Sequence, residues 1–169
     1  MCYFPSACYK AWRTARHNSR VGVALSLLLT SPVFADSVPA DQGEIVITPL
    51  VHSSVQLEHD DLVIQVDPWG IAGLANAKSA QLILVTDSPA HHLDSEAIAQ
   101  LSLPNTSVVI APNGLQQVAD GLVMENGDMI KVSGVTIEAV AAYDIIPGAP
   151  EHPKGDANGY VITLGDKRL

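Results

Sequence analysis

Gln81-Leu82-Ile83-Leu84-Val85-Thr86-Asp87-Ser88-Pro89-Ala90-His91-His92-Leu93-Asp94 decides the reading of this chain. Its first five residues are a near-continuous apolar run, the pattern of a strand buried on both faces. The polar residues from Thr86 to His92 form a loop. Asp94 then suits a helix N-cap, with Leu93 and Ile98 at the two staple positions and Ile98 and Leu101 on one face. Pro104 and Asn105 end that helix. Ser107 to Ala111 forms a second buried strand, so 81–111 has the strand–helix–strand order of a βαβ unit.

The regions on either side read as strands. Ile45-Val46-Ile47 is β-branched. Val55, Leu57 and His59 alternate with Gln56 and Glu58, the period of a half-buried strand. Asp60-Asp61 turns into Leu62–Val66, and Asp67-Pro68 stops that strand because proline cannot donate to a ladder. A short helix is expected over Asn113–Ala119. Asn126-Gly127 signals a hairpin between Leu122–Met124 and Met129–Val132. Ser133-Gly134 leads into Val135–Val140, residues Tyr143–Asn158 form a Pro/Gly-rich loop, and Gly159–Leu164 is a strand. After the Gly165-Asp166 turn, Lys167–Leu169 opens a further strand.

The chain has 169 residues, 9 Lys and Arg against 18 Asp and Glu, and 47% apolar residues. One domain is expected at that length. The acidic balance excludes the basic footprint of a nucleic-acid binder. All the acids lie at or beyond Asp36, whereas Lys10, Arg13, Arg16, Arg20, Cys2 and Cys8 precede it. Basic residues, the apolar run Val21–Leu29 and the small residues Val33 and Ala35 follow the order of a secretory signal peptide over 1–35. An uncleaved anchor is the alternative, but the run falls short of the ~20 residues a span needs. Cleavage after Ala35 would leave a cysteine-free chain with a net charge of −13. It would be periplasmic or secreted, with no stable membrane anchor. Residues 36–43 read as a short loose lead and 44–169 as the domain.

The chemistry gathers on the loop leaving the strand at Val85. Asp87, His91, His92 and Asp94 lie within eight positions at the C-terminal end of a buried strand, where α/β sheets place their sites. Imidazole and carboxylate together suit zinc, iron or manganese. Asp94 reads as a cap rather than a ligand. His91 and His92 face one point only if the loop is tight, because an extended segment alternates its side chains.

The order apolar strand, Val-Thr, ligand loop, His-Leu-Asp and helix resembles the metallo-β-lactamase superfamily. The nearest branch is that of L-ascorbate-6-phosphate lactonase-like hydrolases. His52-Ser-Ser-Val-Gln-Leu-Glu-His59, Ile64-Gln-Val-Asp67-Pro68, Val109-Ile-Ala-Pro112, Asn126-Gly-Asp128, Val135-Thr-Ile-Glu-Ala139, Ala142-Tyr143, His152-Pro-Lys-Gly155 and Asn158-Gly-Tyr-Val161 follow in the family's order. The resemblance covers Glu44–Leu169. It implies an α/β (α+β) fold: the N-terminal part of an αββα sandwich, with a mixed sheet and helices on its outer face.

That family's metal loop reads His-x-His-x-Asp-His. Asp87 here takes the first position, Pro89 the second, His91 the third and His92 the last. The resemblance therefore implies a divalent metal, zinc foremost, held by Asp87, His91, His92 and, from the Pro/Gly-rich loop, His152. A solvated His152 beside Pro153 fits equally. Asp67 is expected to be a buried supporting carboxylate. The implied chemistry is metal-activated water attacking a small lactone, ester, amide or phosphoester. Pro89 cannot bind metal, and the chain stops before the family's Gly-Asp strand, so impaired activity is expected. The second sheet and its outer helix are expected to be missing, which would leave a sheet face uncovered for self-association. The competing expectation is a non-catalytic exported domain that binds metal or serves as a scaffold.

Overall fold

The computed structural model describes residues 35–146 and 148–169. The leader expected over 1–35 lies outside them except for its last residue. Eleven strands and one α-helix are present among the described residues. β1 (Asp36–Ala40), β2 (Gly43–Val51), β3 (Ser54–His59) and β4 (Leu62–Val66) form an antiparallel meander. β5 (Ala80–Val85), β6 (Ser102–Ile110) and β7 (Leu122–Val123) then add in parallel, giving a seven-stranded mixed sheet in sequence order. β8 (Met129–Val132), β9 (Val135–Ala142), β10 (Ala157–Leu164) and β11 (Lys167–Arg168) form a second, antiparallel sheet in the order β11-β10-β9-β8. The mixed sheet expected from sequence is therefore present.

Side-chain alternation explains how the layers stack. Leu82 and Leu84 point to one face of β5 and pack with Ile45, Leu57, Ile64 and Val109. Val135, Ile137, Ile162 and Leu164 of the second sheet close that core. Ile83 and Val85 point the other way, toward Ile98 and Leu101 of α1 (Ser95–Leu101). The apolar run Leu82–Val85 is fully buried because each face of the strand has its own cover, one a sheet and the other a helix.

Four expectations are corrected. The segment 36–43 is not a loose lead. Val38 and Pro39 pair with Ile45 and Glu44 across a turn at Asp41-Gln42, and the proline is tolerated because β1 is an edge strand. No helix spans 113–119. Pro112–Gly114 makes one 3-10 turn, and the chain continues in turns. The Asn126-Gly127 turn does not join a hairpin. β7 pairs with β6 in the first sheet and β8 with β9 in the second, so this turn carries the chain between sheets. Gly127 takes a φ of 98° there, and its N–H donates to the Ala139 carbonyl instead of to a hairpin partner.

The last correction concerns the second sheet, which is not missing. Its four strands cover the inner face of the large sheet, so that face is not the uncovered one. The second sheet's other face carries the exposed Met129 and Val140.

Candidate functional site

The site is built on Asp67, the residue that follows β4. Asp67 is 2% exposed and takes a φ of 45°. A non-glycine residue in that region carries local strain of about 1–3 kcal/mol and is held there by its surroundings. Its N–H donates to the Leu84 carbonyl at 2.9 Å, and its own carbonyl accepts from Ser54 Oγ at 2.5 Å. Oδ1 accepts from Thr86 N at 2.8 Å, and Oδ2 from Thr86 Oγ1 at 2.6 Å. Oδ2 also lies 2.6 Å from His92 Nδ1. Burial pushes the Asp67 pKa up, and the hydrogen bonds from His92 and Thr86 oppose it only in part. This is the supporting role expected of Asp67.

The ligand loop is tight. The Pro89 carbonyl accepts from the N–H groups of both His92 and Leu93, each at 2.8 Å. The resulting turn brings the neighbouring rings of His91 and His92 to a centroid separation of 4.4 Å, which an extended segment could not do. Asp94 is a cap. Its Oδ1 accepts from the N–H groups of Glu96 and Ala97, each at 3.0 Å, and Oδ2 accepts from Gly70 N at 3.0 Å. Burial raises its pKa, but these three N–H groups outweigh it and hold the carboxyl below its usual range.

Asp87 is engaged on both oxygens. Oδ1 accepts from Asn113 Nδ2 at 2.5 Å and from Ser88 N at 2.7 Å, while Oδ2 lies 2.7 Å from His152 Nδ1. Burial acts to raise its pKa, yet the bonds from Asn113, Ser88 and His152 prevail and lower it. The Pro/Gly-rich loop presents His152 through Asp144, whose Oδ2 accepts from the N–H groups of Glu151 and His152. His92 and His152 line one cleft of about 260 Å³ with Thr86, Asp87 and Asn158. Tyr160 Oη donates to the Val85 carbonyl at the strand end, and burial, offset in part by Asn158, pushes its pKa up to about 12.

The four residues expected as metal ligands therefore divide. Asp87 pairs with His152, and His91 lies against His92. Among the described residues, no three His, Cys, Asp or Glu side chains are grouped to hold a metal ion as they stand. The family's ligand set does not fit the geometry here, because Asp87 has spent both oxygens on protein donors and Pro89 offers none.

A third histidine joins His91 and His92. The His52 ring lies 4.8 Å from His91 and 6.1 Å from His92, and Trp69 stands edge-on 5.9 Å from His52. His52 sits in the turn between β2 and β3 with a φ of 51°. Ser53 Oγ donates to the His91 carbonyl at 2.9 Å, which ties that turn to the ligand loop. Burial, reinforced by the neighbouring charges of His92 and His52, lowers the His91 pKa. Sequence reasoning placed His52 only within a family-like segment. His52, Trp69, Asn113 and Asn158 carried no spacing signal, because the β2–β3 turn, the segment after β4, the 3-10 turn after β6 and β10 bring them in from distant parts of the chain.

This sandwich and its loop define a protein of the metallo-hydrolase fold. The sequence model of the beta-lactamase superfamily domain matches residues 46–169, and the chain belongs to that family. No curated protein matches it. Among solved structures it is similar to a candidate metal-dependent hydrolase from Parabacteroides distasonis. That likeness has 33% identity and a TM-score of 0.76, covering 81% of this chain and 64% of that one. A metallo hydrolase from the archaeon Ignicoccus hospitalis shares the fold at 18% identity and a TM-score of 0.57, over 74% of this chain and 58% of that one. So does a diiron beta-hydroxylase from Streptomyces venezuelae, at 14% identity and a TM-score of 0.53, over 78% and 29%. The chain thus spans 64% of the length of the Parabacteroides protein.

Proposed function

We propose that this chain is an exported, hydrolase-derived domain of the superfamily whose activity toward lactones, esters, amides or phosphoesters is impaired. One observation carries the reading: the carboxylate in the first ligand position, Asp87, is closed by Asn113, Ser88 and His152. A buried carboxylate satisfied by three donors gains little by exchanging them for an ion. Pro89 in the second position supplies no donor at all. The cleft beside His92 and His152 remains able to receive a small molecule bearing a carbonyl or phosphoryl group. Periplasmic or secreted placement is part of the same proposal and rests on the order of residues 1–35.

The test is a panel of lactone, ester and phosphoester substrates assayed with added zinc, manganese or iron. The expected result is no turnover above buffer for the natural sequence. The double variant Asp87→His, Pro89→His should gain a bound ion by elemental analysis, because it returns two imidazoles to the loop. Metal-dependent turnover by the natural chain that disappears in Asp87→Asn would overturn the reading.

The alternative, a non-catalytic metal-binding or scaffold domain, draws its support from an overlapping set of residues: His91 and His92 of the loop, with the His52 ring beside them.

A further inference from the structure

We propose that a second cavity, at the end of the sandwich opposite the histidine loop, binds a short linear diamine. Leu62 and Gln81 lie at the starts of β4 and β5 and line this cavity, whereas Asp67 and Thr86 follow the same two strands into the candidate site. Each pair is separated by about 17 Å of extended chain. The cavity holds about 600 Å³, against about 260 Å³ for the cleft beside His92, and falls within the size range of small-molecule pockets. Turns of both sheets wall it: Asp41 and Asp60-Asp61 from the first, Ser133 and Gly165 from the second. Its floor is the end of the core between the sheets, formed by Leu62, Val135 and Leu164.

Floor and rim together select the ligand. The rim carries the carboxylates of Asp41, Asp60 and Asp61, and among the described residues no Lys or Arg lines the cavity. The local field therefore repels anions and favours ammonium groups. Lys167, a neighbouring cation, is engaged by Asp166. His59 adds a neutral acceptor. Its Nδ1 lies 3.3 Å from the Glu44 carbonyl, which can only accept, so in the neutral ring Nδ1 carries the proton and Nε2 keeps its lone pair. A β-carbon on Gly165 would come within 3.4 Å of Nε2 and 3.1 Å of the Asp41 carbonyl, so glycine keeps that side open. Spacing sets the length. Asp41 and Asp60-Asp61 occupy turns two strand spacings apart on one sheet end, about 10 Å. An ammonium bonds a carboxylate at about 2.8 Å, so two ammonium groups joined by about four or five methylenes reach both turns. The methylenes then cover the apolar floor. Exposed ion pairs alone are worth little, and the floor alone has no preference for charge, so the cavity is what joins them into a site.

The test is calorimetric titration of the purified full chain, at physiological salt, with putrescine, butylamine and butanediol. These share a four-carbon body and carry two, one and no amines. One putrescine per chain is expected, with butylamine weaker and butanediol not bound. Asn105 lines the cavity at an exposed position, so Asn105→Trp fills it while leaving every charge in place, and saturable binding should be lost. Asp60→Asn combined with Asp61→Asn should weaken binding roughly fivefold, from two exposed ion pairs. Asparagine tolerates the left-handed φ of 53° at Asp60, which covers the case of an Asn105 variant that does not fold. Asp120→Asn, an exposed carboxylate that does not line the cavity, should bind as the natural chain does. Unchanged binding in a folded Asn105→Trp, butanediol binding as well as putrescine, or no binding at all would overturn the proposal. So would several putrescines per chain with an equal loss in Asp120→Asn, the mark of attraction to the acidic chain as a whole. None of these outcomes depends on turnover, so the proposal fails or stands apart from the hydrolysis assays.

Discussion

The Asp67 carboxylate lies 2.6 Å from His92 Nδ1, and one oxygen serves both that ring and the Thr86 hydroxyl. This relationship joins the end of β4 to the loop after β5 and fixes which imidazole nitrogen faces the cleft. Asp67→Asn keeps the shape but removes the charge and turns one acceptor into a donor. Its expected cost is about 1.5–3 kcal/mol in urea unfolding, the range for hydrogen bonds to a charged group. If His92 is a ligand, the same change weakens zinc binding by about 10–100-fold, the usual effect of losing a partner behind the metal-binding ring. A variant with full stability and full zinc affinity would show that the contact orients nothing.

Gln56 and Gln65 face each other across β3 and β4 and are both buried. Their roles are unequal. Gln56 Oε1 accepts from Gln65 Nε2 and from the Lys78 N–H, each at 2.8 Å, whereas Gln65 Oε1 is buried without a partner. Gln56→Leu leaves the Lys78 N–H without its acceptor, at about 1–3 kcal/mol, and takes one of the two acceptors from Gln65 Nε2, which keeps the Lys78 carbonyl at 2.9 Å. Gln65→Leu removes an unsatisfied acceptor as well as a donor, so its losses and gains offset. Chemical denaturation should rank Gln56→Leu as clearly the more damaging. The reverse ranking would contradict the hydrogen-bond assignment.

This glutamine pair also marks where the sequence was misleading. The alternation Val55, Leu57, His59 implied that Gln56 faced water, but the segment after Gly70 folds over that face of β3. Periodicity reports only which residues share a face, not what later covers it. The run Leu82–Val85 was legible because burial on both faces leaves no polar position. Asn126-Gly127 was legible as a turn, while the strands it connects depended on pairings between distant segments. At the site, the loop 86–94 was readable because its residues are contiguous. His52 was not, because its place beside His91 is set by Ser53 and Ser54 across the fold.

Asp166 ties the two sheets together at the end opposite β7. Its Oδ1 accepts from the Asp41 N–H at 2.8 Å, and Lys167 donates to its other oxygen. The Lys167 contact, followed by the Asp41 N–H, holds its pKa below the ordinary 3.8. A carboxyl lowered by folding adds stability that is present above its unfolded pKa and is lost as pH falls through the folded one. Asp166→Asn should therefore show a smaller drop in melting temperature than the natural chain as pH is lowered from 6 to about 3. Parallel acid profiles would show that the tie contributes nothing measurable.

Asp94 separates a capping role from a ligand role within the same loop. It accepts three backbone N–H groups: two from the first turn of α1 and one from Gly70. Replacing an N-cap carboxylate by alanine costs about 0.5–2 kcal/mol, and the third donor places Asp94→Ala toward the upper end. Asp94→Asn keeps one oxygen for the helix but offers an amide where Oδ2 met Gly70, so its loss should be smaller and should report that single contact. Both variants should bind zinc as the natural chain does, because all three acceptor bonds point into α1 and the Gly70 turn, away from His91 and His92. Asp94→Ala losing zinc affinity while α1 keeps its stability would make Asp94 a ligand and the cap incidental.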